Sequence, residues 1–546
     1  MSTLVGQFIW SPVMSALQPR QVLAMGNSVI LHYADRVSAT LWQHRELAIT
    51  GLLLAWALCT VTYRVFLSPL ARYPGPLWAR ITGLWHITLI NSHENLELMK
   101  LHKKYGPVVR IGPNNLSISH AHIFRKIYNA AAPFPKSKYY EPFTTSPGVD
   151  IFTERNEKLH GKLRRNFSYA FGAAGLRAVD NELDATVQRF MSRLASLEGE
   201  TINMPTELGN ALFDLNCQAT LAHDAGFIES PSKGRLVHQI HDTITAGHFM
   251  GLMPIAWSLF QLVRRFVNRF IVLDEAQQTM THLIKTQLQA QKDCVLSGKP
   301  KSGDLLLRLL GLVDSGVVSN DDIISVIGFT IGAGCSDGST WLTAVFYYLL
   351  KHPDKYKKLM EELHEKAADG KLGPIAKARE AAEFPYLNAV LHEALRLCTT
   401  LVSNTPREVP EGGLELDDGH VPKGTIVGCP AWVIHRLPEV WGEDAEAFIP
   451  ERWMESENKA VLHRYFMGFG SGSRTCLGRN ISFLEARKLV PSILMAYHFE
   501  LADPKGWELT GGGSVHVGKM PVRVKKRTTP GALPSLQIGD AYIKIL

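Results

Sequence analysis

The sequence predicts a mainly helical chain with a small β region, carried behind an N-terminal membrane-spanning helix. Three observations lead there. After Pro385, the residues Leu387, Val390, Leu391, Ala394, Leu395 and Cys398 recur at the spacing of one helix face, and residues 321–352 form a second, much longer helical run. Strand signals are short and confined, mostly to residues 102–119 and 404–430. Leu47 to Tyr63 contains no charge and is bounded by Glu46 and Arg64, which is the short end of what spans a bilayer.

The totals narrow the class. With 546 residues, 46% hydrophobic and 20% charged, the chain is globular and large enough for an extensive core. A net charge of +7, spread along the sequence, suits an acidic protein partner or an anionic membrane surface and argues against nucleic acid. The seven cysteines are widely spaced with no CxxC, which speaks against a zinc site or a disulfide framework and for a reducing compartment.

Residues 1–46 form an extension with no clear period and no secretory-signal pattern. Residues 47–63 are the transmembrane candidate. A buried globular helix is the alternative, and arginines on both flanks leave the orientation open. Residues 64–76 hold Pro69, Pro74 and Pro76, a stiff non-helical hinge. Within 102–119, Gly112-Pro113-Asn114 marks a turn between two strands. Residues 133–153 form a long loop with Tyr139, Tyr140 and Phe143, and a loop of that length is usually functional or disordered. His160 and Arg164 then share a helix face. Residues 180–300 alternate helical patterns with polar breaks, ending in a loop at Lys299–Gly303, and carry no chemical constellation.

The central helix from Asp321 to His352, stopped by Pro353, contains Gly328, Gly332, Gly334 and Gly338. Each interior glycine costs about 1 kcal/mol against alanine, so four call for a reason. Close approach of a flat ligand is one; a second membrane span with small-residue packing is another. On the helix at 385–398, Glu393 and Arg396 fall opposite the apolar stripe and, taken alone, form a surface ion pair. The stretch Phe469-Gly470-Ser471-Gly472-Ser473-Arg474-Thr475-Cys476-Leu477-Gly478 places one cysteine in a glycine-rich loop ahead of a helix over Arg479–Tyr497, whose inward positions include Ile481, Leu484, Ala486, Leu489, Ile493 and Leu494. A loop entering a helix aims backbone N–H groups at an anion, and a thiolate is such an anion. The glycines at 468, 470 and 472 lack the strand–turn–helix context of a dinucleotide fingerprint. Beyond Val524 the chain turns basic, then rich in Gly and Pro, and is expected to leave the fold.

The pattern Phe-x-x-Gly-x-Arg-x-Cys-x-Gly, filled by Phe469, Gly472, Arg474, Cys476 and Gly478, resembles the haem-binding loop of the cytochromes P-450. Glu393-x-x-Arg396 and Pro450-Glu451-Arg452-Trp453 resemble two further signatures of that family, and Ala333-Gly334-Cys335-Ser336-Asp337-Gly338-Ser339-Thr340 resembles its oxygen-activation segment with the acid and hydroxyl out of register. The resemblance covers residues 68–525, and its finer features are similar to the fungal natural-product branch.

It implies the P-450 fold over a haem-thiolate catalytic domain at 77–525, with a tail at 526–546. It also implies haem b with Cys476 as the iron ligand. Arg164, Arg407 and Arg474 would meet the propionates, and Glu393, Arg396 and Arg452 would form a buried network propping up the loop. The loop at 133–153 would roof the substrate pocket. The implied activity is monooxygenation of an apolar small molecule in secondary metabolism, with Asp337, Ser339 and Thr340 as candidates for proton delivery. Electrons would come from NADPH through a separate cytochrome P-450 reductase, with cytochrome b5 as an optional second donor. The reductase would dock on a basic face formed by Arg464, Arg479, Arg487 and Lys488. The resemblance places such a chain in the endoplasmic reticulum membrane, single-pass, with the catalytic domain in the cytosol. Two rivals follow from the altered segment and the anchor: an isomerase or rearrangement enzyme of the same fold that needs no reductase, and a non-catalytic haem-binding membrane protein.

Overall fold

The computed structural model describes residues 45–527 apart from 91–92, 132–133, 145–149, 231–233, 265–272, 298–303, 401–402, 456, 458 and 511–513. The extension before residue 45, the loop at Lys299–Gly303, part of the loop at 133–153 and the tail from 528 onward lie outside the described residues. The chain divides into two units, Met1–Ala71 and Arg72–Leu546.

In the first unit, α1 (Arg45–Thr62) continues through a π turn at Tyr63–Leu67. The 23 residues Arg45–Leu67 are apolar enough to cross a membrane, and none of the apolar window is buried. Leu52, Leu54, Trp56 and Phe66 are all exposed, which is costly in water and favourable in lipid.

The second unit is helical with small sheets. Pro74, Gly75 and Pro76 do not form a free linker. Arg110 donates its main-chain N–H to Pro74 O, and a side chain at Gly75 would collide with Arg110 O. Helix α2 (Glu94–Tyr105) leads into β1 (Val108–Gly112) and β2 (Asn115–Ile118), an antiparallel pair turning at the expected Gly112–Asn114. A four-stranded sheet is completed by β4 (Arg407–Glu408) and β5 (Ile426–Gly428), after β3 (Thr201–Asn203) elsewhere in the unit. The last strand among the described residues, Pro521–Lys526, pairs with β3 and with Tyr497–Leu501. It carries the fold past Val524: Arg527 still donates to Leu494 O at 2.8 Å and to the Tyr356 hydroxyl at 2.7 Å.

Helix α3 (Glu157–Ala170) packs on the helix Asp304–Asp314, while α4 (Met204–Leu221), α5 (Arg235–Leu252) and α6 (Leu273–Leu296) pack on α7 (Asn320–Lys351). Helix α7 starts in a capping box. Ser319 Oγ accepts from Asp322 N, and the Asp322 carboxylate accepts from Ser319 N. At 32 residues it is about 48 Å long. It is buried along most of its length inside the helical unit, which decides against a second membrane span.

Two of the four glycines of α7 have a cause in helix packing rather than in the flat ligand expected. A side chain at Gly334 would stand 2.5 Å from the Asn216 carboxamide, and one at Gly338 3.1 Å from Leu212 Cδ1. Both neighbours lie on α4, the helix that packs most extensively on α7. The glycines let two backbones approach, as small residues do in tight helix pairs.

Helices α8 (Pro353–Ala368), α9 (Pro385–Leu397) and α10 (Arg479–Ala496) complete the core around the cysteine loop. In α10 the six apolar positions named from the sequence are buried, but so are Glu485 and Lys488. Lys488 Nζ sits 2.7 Å from Asp180 and 2.6 Å from Asp184. It therefore takes no part in a basic surface. Arg464 and Arg479 are exposed, while the half-buried Arg487 donates to Asn388.

Candidate active site

Phe469 to Gly478 forms a tight loop at the start of α10. Gly470 and Gly472 have φ near +70°, and a side chain at Gly472 would meet Tyr128 O at 2.2 Å. Glycine is required at both. Gly470 N donates to Met467 O, and Cys476 N donates to Phe469 O, each at 2.8 Å. The Cys476 sulfur receives the main-chain N–H groups of Gly478 and Arg479, as expected of a loop entering a helix. Burial pushes the thiol up from its ordinary value, while those N–H groups and the Arg164 guanidinium pull the other way. The side chain is accessible although protein surrounds it, so it faces an interior space.

Helix α7 faces that same space. Ala333 is exposed in mid-helix, its neighbour Asp337 is only half-buried, and the Asp337 charge acts on the Cys476 thiol. Loop and helices are fixed by an aromatic wedge. Trp341 meets Phe469 edge-on at 5.7 Å and Phe483 at 5.2 Å, and its indole N–H donates to Leu391 O.

A ring of cations lies beside the loop. Arg164 donates to Thr475 O, Arg407 to the Tyr140 hydroxyl and two carbonyls, and Arg474 to Glu157 Oε1 at 2.6 Å and to Glu154 O. Lys136 joins them, donating to Phe152 O and lying over the Tyr140 and Phe152 rings. Burial, then the charges of Arg407 and Arg474, hold its ammonium well below the ordinary lysine value. His160 is pushed down to about 3 by burial and the same cations, so it stays neutral. Among the described residues no carboxylate pairs with Arg164 or Arg407. Lys136 and Arg407 are almost fully buried, and buried cations need anions. A soft anionic sulfur next to a cation-rich ring fits a metal-centred dianion such as haem with its two propionates. Lys136 gave no signal in the sequence beyond a lysine in a proline-bearing loop; only the fold brings it here.

Glu393 and Arg396 are not on a surface: both are fully buried. Arg396 forms a two-pronged bond with Glu393 at 2.7 and 2.8 Å and donates to the main-chain oxygens of His435, Ala445 and Ala447. Glu393 also accepts from Arg452 Nε at 2.9 Å, Trp453 Nε1 at 2.8 Å and Ile449 N at 3.0 Å. The sequence offered no role for His435. The structure makes it the link to the cysteine loop: Nδ1 donates to Arg396 O at 2.8 Å, and Nε2 accepts from Met467 N at 2.7 Å.

The three residues named for proton delivery are not brought together. Ser339 and Thr340 are buried, and both hydroxyls donate to Ser336 O within their own helix. Asp337 accepts instead from Ser514 Oγ at 2.9 Å and from the Thr400 hydroxyl. Burial pushes its carboxyl up to about 6, opposed by those two bonds. Ser514 and Thr400 were missed because both are remote in sequence from α7. Nearby, Tyr139, Tyr140, Phe143, Phe152 and Phe329 form a chain of aromatic contacts between the 134–153 segment and α7.

Comparison with known proteins bears on the same segments. The family profile "Cytochrome P450" matches residues 73–521. "Cytochrome P450 monooxygenase hepC" of Aspergillus oryzae is 30% identical over 480 residues, covering 84% of this chain and 92% of the relative. "Cytochrome P450 monooxygenase cicH" of Emericella nidulans is 30% identical over 485 residues, 84% of this chain and 94% of the relative. "Pisatin demethylase" of Fusarium vanettenii is 29% identical over 462 residues, 82% and 87%.

Proposed function

Because this chain belongs to the cytochrome P450 family and is a P450 monooxygenase, we propose that it inserts one oxygen atom from O2 into an apolar small molecule, as a step in natural-product biosynthesis. The carrying observation is the Cys476 sulfur, which receives two helix-start N–H groups and opens onto the α7 face.

The family implies a haem-thiolate centre; we take the group to be haem b. When bound, it supplies the oxygen chemistry, which a thiolate ligand assists by pushing electron density toward the iron. The chain's own residues do the rest. Gly478 and Arg479 N–H groups and the Arg164 charge hold Cys476 as the thiolate ligand. Lys136, Arg164, Arg407 and Arg474 bind and orient the two carboxylates. The aromatic contacts from Tyr139 to Phe329 exclude water and orient an apolar body. Asp337 holds a proton on the cavity side of α7, with Ser514 and Thr400 fixing its carboxyl.

The apolar helix Arg45–Leu67 supports a membrane anchor, which this reading places in the endoplasmic reticulum with the catalytic unit in the cytosol. Electrons then come from NADPH through a separate reductase. The test is expression beside that reductase with metabolite profiling of the host. A reductase-dependent product carrying one oxygen from 18O2 is expected, and Cys476→Ala should abolish both the product and the red-shifted band of the reduced, carbon monoxide-bound form. Survival of that band in haem-loaded Cys476→Ala would overturn the assignment.

A further inference from the structure

Thr405 is held in a backbone conformation that a β-branched residue rarely adopts. Its φ is +43°, and it is buried. Such a residue persists only where its surroundings over-determine it, and such residues gather at functional sites. Here the surroundings are Tyr128 and Cys429. An extended chain turns successive carbonyls to opposite sides. At this turn Asn404 O and Thr405 O lie 3.4 and 2.9 Å from the one Tyr128 hydroxyl. Thr405 Oγ1 is 2.6 Å from the same hydroxyl and donates on to Cys429 O at 3.1 Å, while Cys429 N donates back to the Tyr128 oxygen at 2.9 Å. Burial pushes the Tyr128 phenol up from its ordinary value, so it keeps the proton that it donates.

The turn leads straight into Arg407. Thr405 O and Pro406 O both accept from Arg407 Nη1, at 3.2 and 3.1 Å. The guanidinium carbon lies 5.2 Å from the centre of the Tyr128 ring, within cation–π reach. Tyr128 therefore acts on Arg407 twice, directly by its ring and through Thr405 by its hydroxyl. Its main-chain oxygen packs against the cysteine loop, where a side chain at Gly472 would collide with it. One residue thus bridges the loop that carries Cys476 and the buried arginine beside it.

We propose that Tyr128 is a positioning residue for the haem carboxylates: its hydroxyl clamps the Thr405 turn, and the clamped turn holds the Arg407 guanidinium at a fixed place beside the cysteine loop. The proposal rests on the reading of Arg407 as a carboxylate-binding cation given above. Without the hydroxyl, Thr405 relaxes toward an ordinary negative φ, its carbonyl swings off Arg407 Nη1, and the guanidinium loses its fixed direction. A charge-assisted bond weakens as its geometry does. A displaced guanidinium also offsets less of the carboxylate charge. The extra negative charge left near the iron favours its ferric over its ferrous state.

The test uses the full-length, haem-loaded enzyme. Tyr128→Phe keeps the ring and removes the hydroxyl. It should speed haem transfer to added apomyoglobin by about tenfold, the worth of one hydrogen bond to a charged group. It should also lower the reduction potential, with the reduced carbon monoxide band unmoved because Cys476 is untouched. Arg407→Gln should do the same on its own. In the Arg407→Gln background, Tyr128→Phe should change neither readout further, since the two residues act in series. Thr405→Val removes the other half of the bonded pair, should match Tyr128→Phe, and serves if Tyr128→Phe does not fold. Wild-type haem release and potential in Tyr128→Phe, with both altered in Arg407→Gln, would overturn the positioning role and leave Arg407 standing. So would a Tyr128→Phe effect that persists in full beside Arg407→Gln, because that is a loosened fold and not a misplaced guanidinium. Unchanged release and potential in Arg407→Gln would remove Arg407 from the carboxylate site, and the proposal with it.

Discussion

His435 joins Arg396 to Met467: its Nδ1–H donates to Arg396 O at 2.8 Å, and its Nε2 accepts Met467 N–H at 2.7 Å. One neutral imidazole thus ties the Glu393 network to the strand of chain entering the cysteine loop. Burial, then the Arg396 charge, pushes it down to about 3. Its folded value lies below its unfolded value, so its contribution to stability is full above pH 6.5 and is lost as pH falls toward 3. His435→Ala would strand a buried N–H and a buried carbonyl, at about 1–3 kcal/mol each. Thermal melts should show that loss at pH 7.5, with a shallower fall in stability between pH 6.5 and 5 than in the wild type.

Glu393→Ala should lose folded, haem-loaded protein rather than slow turnover. Arg396 and Arg452 would be left buried without their carboxylate, and breaking such a network costs about 3–5 kcal/mol. Haem content per protein and a melting curve check this. Wild-type values for both would mean that the network carries no stability.

Lys136→Met keeps the bulk and the ring contacts of a buried side chain but removes one cation from the ring beside Cys476. Removing a buried repulsive charge should raise the melting temperature of haem-free protein, while haem affinity should fall about tenfold through loss of one charge-assisted bond. Equal haem affinity in the two proteins would exclude Lys136 from the carboxylate site.

Asp337→Asn keeps the shape and removes the titrating proton. Coupling of electrons to product should drop, with peroxide rising, and substrate affinity should barely change. In the wild type, coupling should be best below about pH 6, where the carboxyl is protonated, and should decline above it; the Asn variant should show no such limb. Because the folded carboxyl value is raised, wild-type stability relative to Asp337→Asn should fall as pH rises from about 4 to about 6 and then level off, by at most about 3 kcal/mol.

Removing residues 1–66 should release the protein from carbonate-washed membranes with haem retained, since every residue of the site lies in the unit that begins at Arg72. Full retention in the membrane pellet would assign binding to another surface.

The sequence alone determined what is local. The cysteine loop, the helix after it, the turn at Gly112–Asn114 and the apolar run near residue 47 rest on residues within about one to five turns of each other, so spacing is enough to read them. The tertiary structure decided what depends on distant partners. It turned two of the four glycines of α7, Gly334 and Gly338, into a close contact with α4, and it buried the Glu393–Arg396 pair that looks exposed on a helical wheel. It removed Lys488 from the surface, brought Lys136 to Arg407 and Arg474, and gave Asp337 the partners Ser514 and Thr400 in place of Ser339 and Thr340. The physical reason is common to all of these. The state of a buried polar group is set by whatever else is buried beside it, and those neighbours are up to roughly 300 residues away along the chain.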